Sequence, residues 1–231
     1  MAKQNNQSSI FNKNFMVRSL TALIAAPIVI YDVYLGSFFF KGMILVMAVL
    51  MAFEWSEVTK NKDATDKQNM MWKIIGLFYI LLPCLSLIWI REQHKGMSII
   101  FWLLANVWAT DIAAYLVGST VGGWKIWPSI SPNKTWSGFV AGVLASTGVG
   151  YATAKLTGSQ RPDILILMSI VLSIYGQIGD MVESWIKRHF NVKDSGKMVP
   201  GHGGILDRVD SLVPVAPKVV AVLLFDKWGI F

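Results

Sequence analysis

Long apolar runs separated by short polar stretches organise this chain from end to end. Runs of the length that crosses a hydrocarbon core lie near residues 16–34, 37–53, 70–90, 97–117, 136–155, 162–179 and 205–228. Each is continuous and does not alternate apolar with polar, so it reads as a buried helix and not as a barrel strand. So many runs of this length exceed what the core helices of a soluble protein need. The pattern predicts an all-α, multi-pass transmembrane helical bundle of about seven spans, within a range of six to nine. The first run has the short apolar core of a secretory leader, but Pro27 follows Ala26 directly and the apolar stretch continues to Tyr34, so it is read as a retained span. Residues 1–14, rich in Asn, Gln, Ser and Lys, lack periodicity and read as a disordered cytoplasmic tail. Residues 15–231 are expected to form one integral membrane domain.

Composition sharpens this picture. Of 231 residues, 54% are hydrophobic and 15% charged, with a mean hydropathy of +0.49, outside the usual soluble balance. With seven spans and the N-terminus inside, Lys41, Arg91, Lys95, Lys155, Arg161, Lys218 and Lys227 fall outside and every other Lys and Arg falls inside. The net charge of +7 then follows from topology and from anionic lipid headgroups, and is no argument for nucleic acid. The single Cys84 excludes an intramolecular disulfide and reads as a small core residue. The connector from Thr59 to Asn69 alternates Lys, Asp and Thr and reads as solvated. The loop from Gly118 to Thr135 holds Gly, Pro and Trp in the mixture suited to a structured turn at the membrane interface. Small residues Gly138, Gly142, Ala145, Ser146, Gly148 and Gly150 then recur along the next span, as close helix packing in lipid requires.

The candidate chemistry is crowded between Gly179 and Asp210, GDMVESWIKRHFNVKDSGKMVPGHGGILDRVD. Charges beside membrane-length apolar runs are costly unless they hold something together or do chemistry. On a helix Asp180, Glu183, Ser184 and Lys187 share one face. Asp207 and Asp210 lie three apart at the start of the final run, so two carboxylate pairs can converge from two helices. Oxygen donors of this kind suit Mg²⁺, which takes one or two carboxylates and completes its shell with waters and phosphates; internal salt bridges, such as Asp180 with Lys187 or Arg188, are the simpler alternative. Lys187, Arg188, Lys193 and Lys197 surround the acids, as a metal-nucleotide complex needs. Gly201, Gly203 and Gly204 allow close backbone approach to a phosphate, and His202 between them is a donor, a base or a cap. Asp111 and Tyr115, one turn apart in the fourth run, should face the bundle interior. Ser131, Lys134 and Thr135, just before the fifth, form either a phosphate site or a helix cap with an interfacial Trp anchor.

These motifs resemble the bacterial phosphatidate cytidylyltransferases, or CDP-diglyceride synthases. The family's signature is matched by Ser184-x-x-Lys187-Arg188, Lys193-Asp194 and His202-Gly203-Gly204-x-x-Asp207-Arg208-x-Asp210, with Gln177-x-Gly179-Asp180-x-x-Glu183 and Asp111-x-x-Ala114-Tyr115 upstream. The chain departs from it at Asn133 and Ser137, where a Lys and a Glu are common. The resemblance implies cytidylyl transfer from CTP to phosphatidate, giving CDP-diacylglycerol and pyrophosphate, in a bacterial-type cytoplasmic membrane with the site facing the cytoplasm. It implies one or two Mg²⁺ ions, with Asp180 and Asp207 as metal ligands and Asp210 and Glu183 beside them. Asp180, Asp207, Asp210, Lys187 and Arg188 are the expected catalytic residues. Asp111, Ser131, Lys134, Thr135, Glu183, Ser184, Lys193, His202, Gly203, Gly204 and Arg208 are the expected substrate-binding set. Membrane lipids and a second copy of the chain, as a homodimer, are the implied partners. An ion or metabolite transporter is the rival reading, since buried acids in a multi-pass bundle fit it too.

Overall fold

The computed structural model describes residues 23–60, 65–196, 198 and 203–225. The expectations for the 1–14 tail and for Lys197, Gly201 and His202 lie outside the described residues. Among the described residues the chain forms α1 (Leu23–Leu35), α2 (Ser37–Val58), α3 (Asp66–Glu92), α4 (Gly96–Thr120), β1 (Lys125–Trp127), β2 (Ser131–Thr135), α5 (Trp136–Thr157), α6 (Pro162–His189), α7 (Leu206–Val209) and α8 (Leu212–Leu224). Five of the helices, α2 to α6, are long and apolar enough to cross a membrane, and α1 and α8 are shorter apolar helices. This is the all-α multi-pass bundle that the apolar runs predict.

Local signals set several boundaries. Thr65 and Gln68 form a reciprocal capping box at the start of α3. Thr135 leaves β2 in an extended conformation and its hydroxyl accepts from the Gly138 amide, opening α5. Pro162 occupies the first turn of α6, whose last turn carries Lys187, Arg188 and His189, cations placed at the negative end of the helix dipole. The helix continues ten residues beyond the apolar run ending near 179, as the helical face read for Asp180, Glu183, Ser184 and Lys187 requires. The helix continues because its charged last turns find partners. The run starting near 205 is divided, because the short α7 ends at Asp210 before α8 begins.

Small residues bring α5 against α4 and α6. Gly138, Gly142, Ser146 and Gly150 recur every four positions and are all buried. A Cβ on Gly138 would lie 2.6 Å from the Ala114 carbonyl oxygen, and one on Gly150 would lie 2.5 Å from Ser169 Oγ and 3.0 Å from the Ile166 backbone. Gly148 instead faces away, with open space where its Cβ would stand. Buried polar groups tie the same three helices together. Ser146 donates to Asn106 Oδ1 at 2.5 Å, Trp102 Nε1 donates to Ser169 Oγ at 3.0 Å, and Thr110 donates to Ser173 Oγ at 3.0 Å.

The antiparallel connectivity sorts the polar ends. One end gathers the C-termini of α2, α4 and α6 and the N-termini of α3 and α5, with the β1–β2 hairpin beside them; there Trp72 of α3 packs on Trp55 of α2 and on Trp185, His189 and Phe190 at the end of α6. The other end joins α1 to α3 through Arg91, which donates to the Val33 carbonyl, and α2 to α3 through the Lys41–Glu92 ion pair. Nearly all the signature residues therefore lie at one end of the bundle. The packing predicts that Gly150→Ala costs about 1–3 kcal/mol through overpacking, whereas Gly148→Ala on the same helix changes little. Thermal unfolding of both variants in detergent checks this; equal melting points would remove the close approach as a determinant of the fold.

Candidate functional site

A cavity of about 1060 Å³ opens at the charged end. Its walls come from α4 (Asp111, Tyr115, Gly118), the hairpin (Asn133, Lys134, Thr135), α5 (Gly138, Phe139), α6 (Gln177, Asp180, Lys187) and the segment from Lys193 to Asp210. Five carboxylates on that wall, Asp111, Asp180, Asp194, Asp207 and Asp210, share the same space with Lys125, Lys134, Lys187, Lys193 and Arg208. Nothing in an apolar bundle favours so many charges in one place except mutual pairing or a charged ligand.

The last turns of α6 position the centre of the site. Helical spacing puts Glu183 and Lys187 on one face, and Lys187 Nζ lies 3.0 Å from Glu183 Oε1. The same ammonium donates to Asp207 Oδ1 at 2.5 Å, joining α6 to α7. All three groups are nearly removed from solvent, with side-chain exposures of 3%, 11% and 8% for Glu183, Lys187 and Asp207. One turn earlier on α6, Asp180 pairs with Lys134 of β2, and Ser184 Oγ lies 3.5 Å from Asp180 Oδ1. The hairpin is thereby tied to the helix that carries the acids.

Asp207 also holds the chain around it. Its second oxygen, Oδ2, accepts from the Ser195 amide at 3.0 Å and from the Gly204 amide at 2.8 Å. Gly203 reaches this arrangement with φ of +80°, and a Cβ there would meet Asp207 Oδ2 at 2.6 Å, so only glycine fits. Burial opposes ionisation of Asp207, but the Lys187 hydrogen bond and the Gly204 and Ser195 amides outweigh it and hold its carboxyl below the usual carboxylate range. Asp210 is the opposite case. Burial, with the charges of Asp180, Glu183 and Asp111 around it, pushes its carboxyl well above that range, against one hydrogen bond from the Ser211 amide.

The structure thus brings Asp111, Lys134, Thr135, Asp180, Lys187, Lys193, Gly203, Asp207, Arg208 and Asp210 of the expected set to one cavity. Glu183 sits buried behind Lys187, and Ser184 lies beside Asp180, neither on the wall. Gly204 is buried against Ser195 and contributes its amide to Asp207. Thr135 spends its hydroxyl on the α5 cap and on Ser137 Oγ at 3.0 Å. Ser131 pairs with Trp127 in the hairpin, away from the cavity wall. Arg188 is exposed and donates to the Val192 carbonyl at 2.8 Å, closing the turn that leaves α6. A residue outside the expected set also reaches this end. Glu54 of α2, buried to 2% exposure, accepts hydrogen bonds from Ser195 Oγ, Ile205 N and Leu206 N. An acid in the apolar run MAFEW is itself the signal that could have found it.

The partnering of Lys187 makes its removal costly, since two buried carboxylates would be left facing each other. Lys187→Met should lose about 3–5 kcal/mol of stability. Lys41→Met, which breaks the half-exposed pair with Glu92 at the other end, should change it by no more than about 1 kcal/mol. Detergent-titration unfolding of the two variants checks the contrast, and a Lys187→Met protein as stable as the wild type would contradict it.

Comparison with known proteins joins this geometry to a family. The sequence model of the cytidylyltransferase family matches residues 59–225, which contain every cavity residue named above. The chain is 33% identical to the phosphatidate cytidylyltransferase of Brucella suis biovar 1, over 88% of this chain and 91% of that protein. It is 38% identical to the phosphatidate cytidylyltransferase of Bacillus subtilis, over 79% of this chain and 68% of that one. It is 47% identical to the phosphatidate cytidylyltransferase of Staphylococcus epidermidis, over 80% of this chain and 69% of that one. With the match running through the whole charged end of the bundle, the chain belongs to the cytidylyltransferase family of nucleotidyl-transferring enzymes.

Proposed function

We propose that the cavity transfers the cytidylyl group of CTP to phosphatidate, giving CDP-diacylglycerol and pyrophosphate. The observation that carries this reading is the cavity wall itself, where five carboxylates and five cations interleave at the end of a lipid-embedded bundle. A water-soluble polyanion and a membrane-bound phosphate can meet only at such a boundary. The similarity to three phosphatidate cytidylyltransferases supports the choice of substrates.

The reaction asks little covalent chemistry of the protein. The phosphate monoester of phosphatidate is already an anionic nucleophile, so no Ser or Cys nucleophile is needed. What is needed is alignment with the α-phosphorus of CTP and neutralisation of the charge that gathers there. Lys134, Lys187, Lys193 and Arg208 are the cations placed to do this from the cavity wall. Asp207 and Glu183 fix the Lys187 ammonium in one position, so it is aimed before substrate arrives. Tyr115 and Phe139, on the same wall near the hairpin, offer an apolar side to the glycerol end of the lipid.

The donor set also fits Mg²⁺. Asp180, Asp210 and Asp111 supply hard oxygen donors from three different elements, while Asp207 gives its oxygens to Lys187 and to the Ser195 and Gly204 amides. Among the described residues no three His, Cys, Asp or Glu side chains form a complete cage. Mg²⁺ usually takes only one or two carboxylates beside waters and phosphates. Asp180 is the proposed principal ligand, with Asp210 as its companion, Asp207 serving instead to hold Lys187 and the backbone beside the ion; the bound ion would screen the triphosphate and polarise the α-phosphate. The site is proposed to face the cytoplasm of a bacterial-type inner membrane, a reading supported by the excess of basic residues at the site end, Lys67, Lys73, Lys125, Lys134, Lys187, Arg188, Lys193 and Arg208, over Lys41, Arg91, Lys95, Lys155 and Arg161 at the other. A homodimer is proposed on the family resemblance.

Asp180→Asn should keep the fold and membrane insertion yet lower Mg²⁺-dependent kcat by about 100-fold or more. The check is conversion of labelled CTP to lipid-extractable product by purified protein in detergent with phosphatidate. Wild-type kinetics in Asp180→Asn would take this residue out of the metal site. Absence of product from folded wild-type protein, across divalent metals, would overturn the assigned reaction.

A further inference from the structure

Glu54 belongs to none of the signature motifs and lies ahead of the residues matched by the family, yet it touches the heart of the site. Its carboxylate is buried to 2% exposure in α2, and among the described residues no Lys or Arg pairs with it. A carboxylate in that setting is costly unless several donors converge on it. Three do. Ile205 N donates to Oε1 at 2.9 Å, Leu206 N donates to Oε2 at 2.9 Å, and Ser195 Oγ donates to Oε2 at 3.1 Å. The two amides are at the start of α7, where no intrahelical partner exists for them.

The donors to Glu54 interlock with the donors to Asp207. Ser195 gives its hydroxyl to Glu54 and its amide to Asp207. Gly204 gives its amide to Asp207, and its Cα faces Glu54 so closely that a Cβ would stand 2.4 Å from Oε2. Gly196 is equally close, with a Cβ position 2.6 Å from Oε1. Leu206, held by Glu54, is the neighbour of Asp207, which holds Lys187. Two carboxylates from distant parts of the chain thus clamp one segment from opposite sides, one toward α2 and one toward α6.

We propose that Glu54 is a positioning residue: its carboxylate fixes the backbone at Ser195 and 204–206 and thereby sets where Asp207 and Lys187 stand on the cavity wall. Glu54 touches no substrate. It acts through the segment it holds, so its loss should be read in turnover more than in substrate affinity. The kinetic part of this inference rests on the proposed cytidylyl transfer; the structural part does not.

The test compares wild type with Glu54→Gln, which keeps the size of the side chain but turns a donor toward the amides it must accept from. Hydrogen exchange of the peptides containing Ser195 and 204–206 should rise by at least about tenfold. In the same protein kcat should fall roughly 10- to 100-fold while KM for CTP changes little. Ser195→Ala removes one donor and leaves both amides on Glu54, so it should fold and lose a few-fold in kcat. Wild-type exchange and wild-type kcat in Glu54→Gln would overturn the proposal, as would a Glu54→Gln protein that is less stable but turns over normally in its folded fraction. Should Glu54→Gln not fold, Ser195→Ala decides, and its unchanged kcat would overturn the proposal. Should wild type fail to turn over CTP with phosphatidate, the reaction assignment falls, while the exchange measurement still judges the clamp.

Discussion

One ammonium held between two carboxylates is the contact on which this site depends. Lys187 lies between Glu183, a turn before it on α6, and Asp207 on α7, and all three are close to fully buried. Charges so far from water are costly unless partnered; Lys187 hydrogen-bonds Asp207 and stands at ion-pair distance from Glu183, whose own oxygens accept no hydrogen bond among the described residues. Answering Lys187 with Asp207 draws the segment before α8 onto α6. Asp207 then answers two backbone amides, and Glu54 answers two more from the other side. The Lys134–Asp180 pair repeats the device and fastens the hairpin to the same helix. The cavity is what remains between elements joined in this way.

The apolar frame around that centre was legible in the sequence because lipid imposes a length on every span. The recurrent small residues of α5 were legible too, and their close approach to α4 and α6 is borne out at Gly138, Gly142 and Gly150, though Gly148 points away from the contact. Where charge meets an apolar run, the run and the helix do not share an end. The apolar run of α6 stops at 179, but the helix runs on to His189 with Asp180, Glu183 and Lys187 on one face, as their spacing predicts, and Asp180 and Lys187 find partners off the helix. The final run likewise conceals a break at Asp210 and Ser211, between the end of α7 at Val209 and the start of α8 at Leu212. Within the interfacial loop from Gly118 to Thr135, residues 118–120 extend α4 and residues 125–135 form a short antiparallel hairpin, which turn composition alone did not specify.

Spacing on a helix gave the Glu183–Lys187 and Asp180–Ser184 contacts, since positions three and four apart meet on one face. It could not give contacts between elements far apart in sequence. Glu54 is the clearest instance: it is separated from Ile205 by 151 positions, and its only sequence signal is an acid in an apolar run. Ser131 stands off the cavity because it lies at the turn end of the hairpin, paired with Trp127, and the signature residue Arg188 does so because its guanidinium turns back to the Val192 carbonyl.

The account rests on which part of CTP reaches the lipid. The most direct measurement supplies purified protein with Mg²⁺, phosphatidate-containing vesicles and CTP labelled either at the α-phosphorus or at the γ-phosphorus. Cytidylyl transfer predicts that the α label moves into the lipid extract while the γ label stays in water as pyrophosphate. Transfer of the γ label to lipid, or retention of both labels in water by folded protein, would contradict it.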